Sequence, residues 1–392
     1  MPQPPLPVDA VSFGPLSGFD VRVTRNAGNL VLVDEEAGTL NLVDLAGLRT
    51  VTGVVIVGRA GAGAQYTTIQ EGVDAVPGSS SSAAPTVILI LPGIYTETVA
   101  VQKDGVHFLA LGDVTLTAPV GQPALEVSAS VSVTPEDLTF TGIKFVQGGN
   151  GLACVRAYGG AGSNLAAGMF TFRDCHFRAT GVGSYAVDAN ELGNLTFKDC
   201  SSTGDATSAL RLRQFTSASV QGGSWVNWSV AYDSTDPLPA TAGGAFTTEG
   251  GTVTGAFLLS MEGGPSQATL SRTGVGGTWT LGGDRVHTAV GCDLGPIVLN
   301  DTATLILQAC LFGALSGGGS ADWDTLTGEL EFVASDSEAL TFPVTRTDAA
   351  YMVLLDTGSD QQAWVPTKTA AGFTATFAAP QTLTLLWKAF AQ

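Results

Sequence analysis

Over residues 65–78 the chain reads QYTTIQEGVDAVPG, and its apolar positions Ile69, Val73 and Val76 recur at i, i+4 and i+7, the spacing of one helix face. Thr67 with Gln70 and Thr68 with Glu71 are capping-box pairs, a hydroxyl followed three residues later by Glu or Gln. Pro77-Gly78 supplies the stop, so the pattern predicts a short amphipathic helix. A SSSSAAP loop follows. The pattern then changes to VILILPGIYTETVAV and GVHFLALGDVTLTAP, apolar β-branched runs broken by Pro-Gly and Gly-Asp turns, which read as strands.

Further along, the strands repeat. MFTFRDCHF and LTFKDCSS carry FRDC and FKDC, which end at Cys175 and Cys200. TLILQACLF has the same shape, and LTFTGIKF and ASVQGGSW are looser versions. A period in the low twenties is that of a solenoid with one coil per repeat. Within a unit, Phe170, Phe172 and Cys175 point inward across a bend, and Cys175 and Cys200 stack as small buried thiols rather than as a disulfide. Asp174 and Asp199 stand beside them, either as solvated turn residues or as an acid–base pair on adjacent coils. Gly-rich stretches such as VQGGNGLACVRAYGGAGSNLAAG interrupt the coils. Their GxG patterns do not open a helix after a strand, so they read as turns and not as nucleotide loops.

Both ends differ from this middle. Residues 1–60 begin with PQPPLP, extended unless held, and continue to NAGNLVLVDEEAGTLNLVDLAGL, paired short strands around EEAG. Residues 321–392 contain GELEFVAS, ALTFPVTR, YMVLLDTG, QAWVPTKT, GFTATFAA and TLTLLWKAF, read as alternating strands of an antiparallel β-sandwich. The domain organisation expected is an attachment segment over 1–60, a parallel β-helix over 61–320 and the sandwich over 321–392.

The helix, the VILILPGIYTETVAV pair and GVHFLALGDVTL resemble the beginning of right-handed parallel β-helices of the pectin lyase-like class, most closely that of pectinesterases. The resemblance implies an all-β chain whose helix caps the first coil, where unpaired backbone would otherwise meet water. A second resemblance lies in Tyr351, Trp364-Val365, Lys368-Thr369, Gly372-Phe373-Thr374 and Trp387, which are similar to a small β domain at the ends of bacteriophage tail-fibre and other virion proteins.

Composition narrows the partners. The net charge is −18 and the pI about 4.3, which repels nucleic-acid phosphates and anionic lipid. Charged residues are only 13 % and Gly reaches 50, the signature of many short strands and turns with a large surface to cover, and a homotrimer would cover it. No apolar run approaches the roughly 18 residues that span a bilayer. The first twenty residues lack a basic n-region and an apolar h-region, so no secretory signal is expected. Five scattered Cys (154, 175, 200, 292, 310) and three distant His (107, 176, 287) have no metal-ligand spacing, and no metal or cofactor is expected.

Pectinesterase chemistry calls for two aspartates on neighbouring coils, an arginine beside them and glutamines for the oxyanion. The Gly-x-x-Asp-Phe-x-Phe-Gly-like strand that carries one of these aspartates in the family is missing, and Arg211-Leu212-Arg213 has no acidic cluster near it in sequence. If the chain is a hydrolase, its carboxylates come from Asp174 with Asp199 or from Asp188 with Glu191. Trp225 and Trp228, three apart in GGSWVNWSV, face opposite sides of an alternating strand unless a turn intervenes, which makes them candidates either for a sugar platform or for burial at a subunit interface. The functions that fit are a virion appendage (tail spike, tail fibre or capsid spike) that adheres to host glycan, a polysaccharide depolymerase spike, or a capsid decoration protein. The appendage would be assembled in the host cytoplasm, exposed on the particle, and anchored to other virion proteins through residues 1–60.

Overall fold

A computed structural model describes the backbone of residues 10–12, 21–26, 29–34 and 38–41, of 53–312 except 61, 63, 129–134, 136, 159–164, 205–207, 234–243, 263–266, 284 and 301–302, and of 315–317, 320–323, 325–341, 351–356, 363–369 and 372–391, with side chains chiefly within 53–312. The chain divides into two compact units, Met1–Thr216 and Ser217–Gln392.

The first unit opens with an antiparallel meander, β1 (Ala10–Ser12), β2 (Val21–Asn26), β3 (Asn29–Asp34) and β4 (Gly38–Asn41). Asp34 lies opposite Gly38, so the strands expected on either side of EEAG do pair. The Pro-rich start, 1–9, lies outside the described residues. The coil begins with β5 (Gly53–Val57), α1 (Ile69–Ala75), β6 (Thr86–Ile90), β7 (Gly93–Thr96) and β8 (Val99–Val101). It continues with β9 (Val106–Thr117), β10 (Leu125–Ser128), β11 (Asp137–Gln147), β12 (Ala153–Tyr158) and β13 (Leu165–Arg173). β14 (His176–Ala179), β15 (Tyr185–Lys198), β16 (Ser201–Thr203) and the first part of β17 (Ser208–Gln221) complete it.

The pairings among these coil strands are parallel, and each strand pairs with the equivalent strand one turn of chain later. One face runs β5, β6, β9, β11, β13, β15. A second runs β7, β9, β11, β14, β16, and a third β8, β10, β12, β15. This register is a parallel β-helix, as the repeat predicted. Phe140 pairs with Phe172 and Phe172 with Phe197, so FRDC and FKDC occupy equivalent places on adjacent coils, the earlier of these two turns being the longer. Equivalent positions carry equivalent side chains inward. Phe108, Phe140, Phe172 and Phe197 stack at centroid separations of 4.7, 5.0 and 5.3 Å, and Phe145 and Phe177 form a second column at 5.4 Å.

Helix α1 is where the sequence predicted it, with Thr68 as N-cap. Thr68 Oγ1 accepts from Glu71 N–H and Glu71 Oε2 accepts from Thr68 N–H, closing the capping box. The alternative Thr67–Gln70 pair is not used that way. Glu71 also accepts from Thr67, while Gln70 turns outward and bonds in both directions to the Ala100 backbone in β8. Glu97 adds its carboxylate to the N–H groups of Ile69 and Gln70 at 2.8 and 2.9 Å, and Lys103 Nζ donates to the carbonyls of Asp74 and Val76 at the other end. A seven-residue helix is too short to persist alone, so these partners and its packing on the coil hold it. Gln65 meanwhile satisfies the edge of β5: its side chain accepts from Ile56 N–H at 2.9 Å and its own N–H donates to Ile56 O at 3.0 Å.

The second unit repeats the coil. Residues 217–221, Ala245–Glu249, Gln267–Ser271, Val286–Val290 and Thr304–Gln308 pair in parallel succession. Phe246, Ala268, His287 and Leu305 fall in register, each step along the chain shorter than the one before. The step into this series, from Ala218 to Phe246, is longer than those that follow, and the first unit likewise mixes long turns, such as Phe140 to Phe172, with a short one from Val87 to His107. At the C-terminus, Thr325–Thr341, Tyr351–Asp356, Ala363–Thr369 and Gly372–Ala391 pair antiparallel. The sequence suggested six strands; among the described residues there are four. The first two and the last two expected strands are each continuous, and where a turn was expected near Ser335 the ladder shifts register instead of breaking.

Candidate functional site

The bend between the first and second faces recurs on coil after coil. In the first unit Gly142, Asp174 and Asp199 occupy it with φ of 73°, 51° and 52°; in the second, Gly250, Arg272, Gly291 and Ala309 do so at 70°, 50°, 61° and 52°. This left-handed conformation is tolerated best by Gly, Asn and Asp. Asp174 and Asp199 are therefore turn residues, exposed, in equivalent positions on adjacent coils. The N–H at the bend reaches the next coil, as with Asp174 N–H to Lys198 O at 3.0 Å and Arg272 N–H to Val290 O at 2.9 Å.

The residue after the bend points inward and adds a side-chain donor to carbonyls at the bend, of which Lys198 O, Ser271 O and Gln308 O also accept a backbone N–H from the preceding coil. Cys175 Sγ donates to Arg173 O at 3.3 Å and lies 3.5 Å from Phe140 O; Cys200 Sγ does the same toward Lys198 O and Phe172 O, both at 3.4 Å. Cys310 repeats the pattern with Gln308 O and Ala289 O, and Thr273 with Ser271 O and Gly250 O. All five cysteines are free and buried. Burial pushes the Cys154 thiol up to about 12 and raises that of Cys175; the Cys292 thiol is raised first by its bond with Cys310 and then by burial.

Trp225 and Trp228 are both core residues, 1 % and 2 % exposed. The sequence left an exposed indole open as a sugar platform; neither ring is available in this chain. Ser224–Trp225 ends before Val226 and Asn227, and a new strand starts at Trp228, so a turn intervenes and both rings point inward. They meet edge to face at 6.2 Å, and Trp228 packs on Phe246 and Phe257.

Chemistry-bearing side chains gather instead on the outside of the third face of the first unit. Arg156 and Tyr158 project from β12, Asp188 from β15, and Arg211 and Arg213 from β17; Arg156 pairs with Asp188 in the ladder. Alternation places them there, since Val155, Ala157, Val187, Ala189, Leu210 and Leu212 fill the core between them. Asp188 is covered by its neighbours, its side chain only 8 % exposed. It accepts from Tyr158 Oη and from Arg213 Nη2 at 3.4 Å, and Arg211 Nη1 lies 3.7 Å away. Arg156 lies over the Tyr158 ring at 4.6 Å and Arg211 over the Tyr185 ring at 4.7 Å. The Tyr158 phenol is held above its ordinary pKa, first by burial and then by the Asp188 carboxylate.

No acidic cluster lies near Arg211 and Arg213 in sequence. The structure supplies Asp188 from the preceding coil; the coil period, applied to outward-facing positions, is the signal that would have found it. Glu191, the partner considered for Asp188 above, has its side chain outside those described. Asp188 is fully engaged and Tyr158 is harder to deprotonate than usual, so the cluster offers N–H donors outward rather than a base. Among the described residues, no three or more His, Cys, Asp or Glu come together as a metal site, and no helix is long and apolar enough to cross a membrane.

No protein-family model and no curated protein matches the chain. Among solved structures it is similar to pectin methylesterase from carrot, at 14 % identity and TM-score 0.39, over 68 % of this chain and 82 % of that one. It is also similar to the tailspike protein of Acinetobacter phage vB_ApiP_P1, at 10 % identity and TM-score 0.39 over 86 % of each chain. A third similarity is to the tailspike protein gp49 from Pseudomonas phage LKA1, at 11 % identity and TM-score 0.31, over 94 % of this chain and 73 % of that one.

Proposed function

We propose that the chain is a virion appendage, a spike or fibre subunit, that attaches to a glycan on the host surface. The observation that carries this reading is the outward Arg156–Tyr158–Tyr185–Asp188–Arg211–Arg213 cluster, whose aromatic rings and fixed donors are the groups that hold sugars without cleaving them. The C-terminal resemblance to virion domains supports the particle context. Residues 1–60 serve as the anchor to other virion proteins, residues 321–392 lie distally, and three copies assemble. The test is binding of the full-length protein to host-surface polysaccharide, with product analysis for cleavage. Binding without shortened products is expected. Shortened products lost in Asp174→Asn and Asp199→Asn would replace this reading with a depolymerase, whose carboxylates would be the exposed pair on adjacent coils. Absence of any glycan binding, with docking on capsid subunits, would leave capsid decoration.

A further inference from the structure

The geometry points to the Arg156–Arg211–Arg213 cluster as a receptor for an oxyanion substituent, carboxylate or phosphate, carried on that surface polysaccharide; this deepens the attachment reading and rests on it. Three guanidinium groups stand against two carboxylates, Asp188 and the Glu126 that neighbours Arg156 in the ladder, so the cluster keeps a net positive charge on a chain of net charge −18. Asp188 takes little of their donor capacity. Its contacts to Arg211 and Arg213 are single and long, at 3.7 and 3.4 Å, not the paired short bonds of a satisfied guanidinium. Arg213 Nε is buried without an acceptor among the described residues, and Arg156, exposed, has no carboxylate partner among them. Stacking on Tyr158 and Tyr185 fixes the planes of Arg156 and Arg211, so an arriving anion meets donors already oriented.

The rest of the molecule sets what kind of polymer suits the cluster. The attraction of the cluster is screened beyond roughly 8 Å, and with a net charge of −18 the rest of the chain repels further anionic groups brought close to it. The ligand is therefore a glycan whose charges are spaced apart, one reaching the cluster at a time, with neutral sugar on either side.

The experiment follows the Arg213 Nε–H signal of the full-length protein by NMR during titration with sodium glucuronate, inorganic phosphate and glucose. The expected result is a saturable shift with glucuronate, phosphate or both, and none with glucose. Which anion acts identifies the substituent. Arg156→Gln, which breaks no ion pair among the described residues, should weaken the effect about tenfold. Arg213→Gln should reduce binding of the host polysaccharide by at least as much, at unchanged thermal midpoint for Arg156→Gln as the folding control. No shift with either anion overturns the inference, as does equal affinity in wild type and Arg156→Gln. Host polysaccharide bound equally by wild type and both variants overturns it while leaving attachment intact. A shift at Arg213 in a protein that binds no host polysaccharide supports the receptor and sinks the attachment reading.

Discussion

A thiol is an unusual choice for a hydrogen-bond donor, yet Cys175, Cys200 and Cys310 use theirs as Thr273 uses its hydroxyl, each reaching the carbonyl two residues back. Cys200→Ser should therefore be nearly neutral, whereas Cys200→Ala removes the S–H donor, with Lys198 O keeping its bond from Asp174 N–H, and should cost about 1 kcal/mol in chemical denaturation. His287 is the opposite case, a buried polar group in an apolar column between Ala268 and Leu305, with neither ring nitrogen hydrogen-bonded to a side chain among the described residues. Burial lowers its pKa from 6.5 to about 4. The unfolded chain takes up this proton below pH 6.5 and the folded one only near 4, so the stability it contributes is present above 6.5 and is lost as pH falls toward 4. The loss is about 3 kcal/mol at most. His287→Leu should remove that slope, seen as a smaller difference between unfolding free energies at pH 7 and pH 4.5 than in wild type. Much at this scale was legible in the sequence. Asp174 and Asp199 read as turn residues because Asp favours such backbone. The inward turn of Trp225 and Trp228 did not, because Val226-Asn227 contains neither Gly nor Pro to announce a bend. The Asp188 partnership was hidden because its arginines lie one coil away.

Among elements, α1 shows how local preference and packing can disagree. Gly72 sits in mid-helix, where Ala is favoured by about 1 kcal/mol. A Cβ there would lie 2.6 Å from Val57 Cγ2, a fully buried side chain on β5 with no room to move. Gly72→Ala should therefore destabilise, by about 1–2 kcal/mol net in thermal or chemical unfolding, against the sign that propensity gives. The helix itself was readable from its cap and apolar spacing, since both are written close together in the chain. What tied it down was not: Glu97 and Lys103 reach it from the far side of a strand pair, and nothing local marks them as caps. At the C-terminus the error ran the other way. Alternation located the strands, but a register shift near Ser335 looks in sequence like the turn it replaces.

For the whole molecule, the coil periodicity carried the fold and the low charge carried the expectation of assembly. In the second unit Leu258, Val286 and Leu311 stand 46 %, 50 % and 57 % exposed, side chains that a subunit contact would cover. A trimer predicts a solution mass three times the chain's 39.9 kDa by light scattering at micromolar concentration; a stable monomer there would count against the assembly proposed above.

The left-handed bend also works as a datum line for inheritance. From Gly142 onward the same short step bridges the first face to the second, whether it is Asp174-Cys175, Arg272-Thr273 or Ala309-Cys310, while the rest of the circuit varies from the long turn between Phe140 and Phe172 to the short one between His287 and Leu305. Length can therefore be added or removed elsewhere in a coil without moving the stack out of alignment. A lineage under pressure to recognise a new surface could lengthen the chain outside the bend, leave the bend untouched, and keep its scaffold.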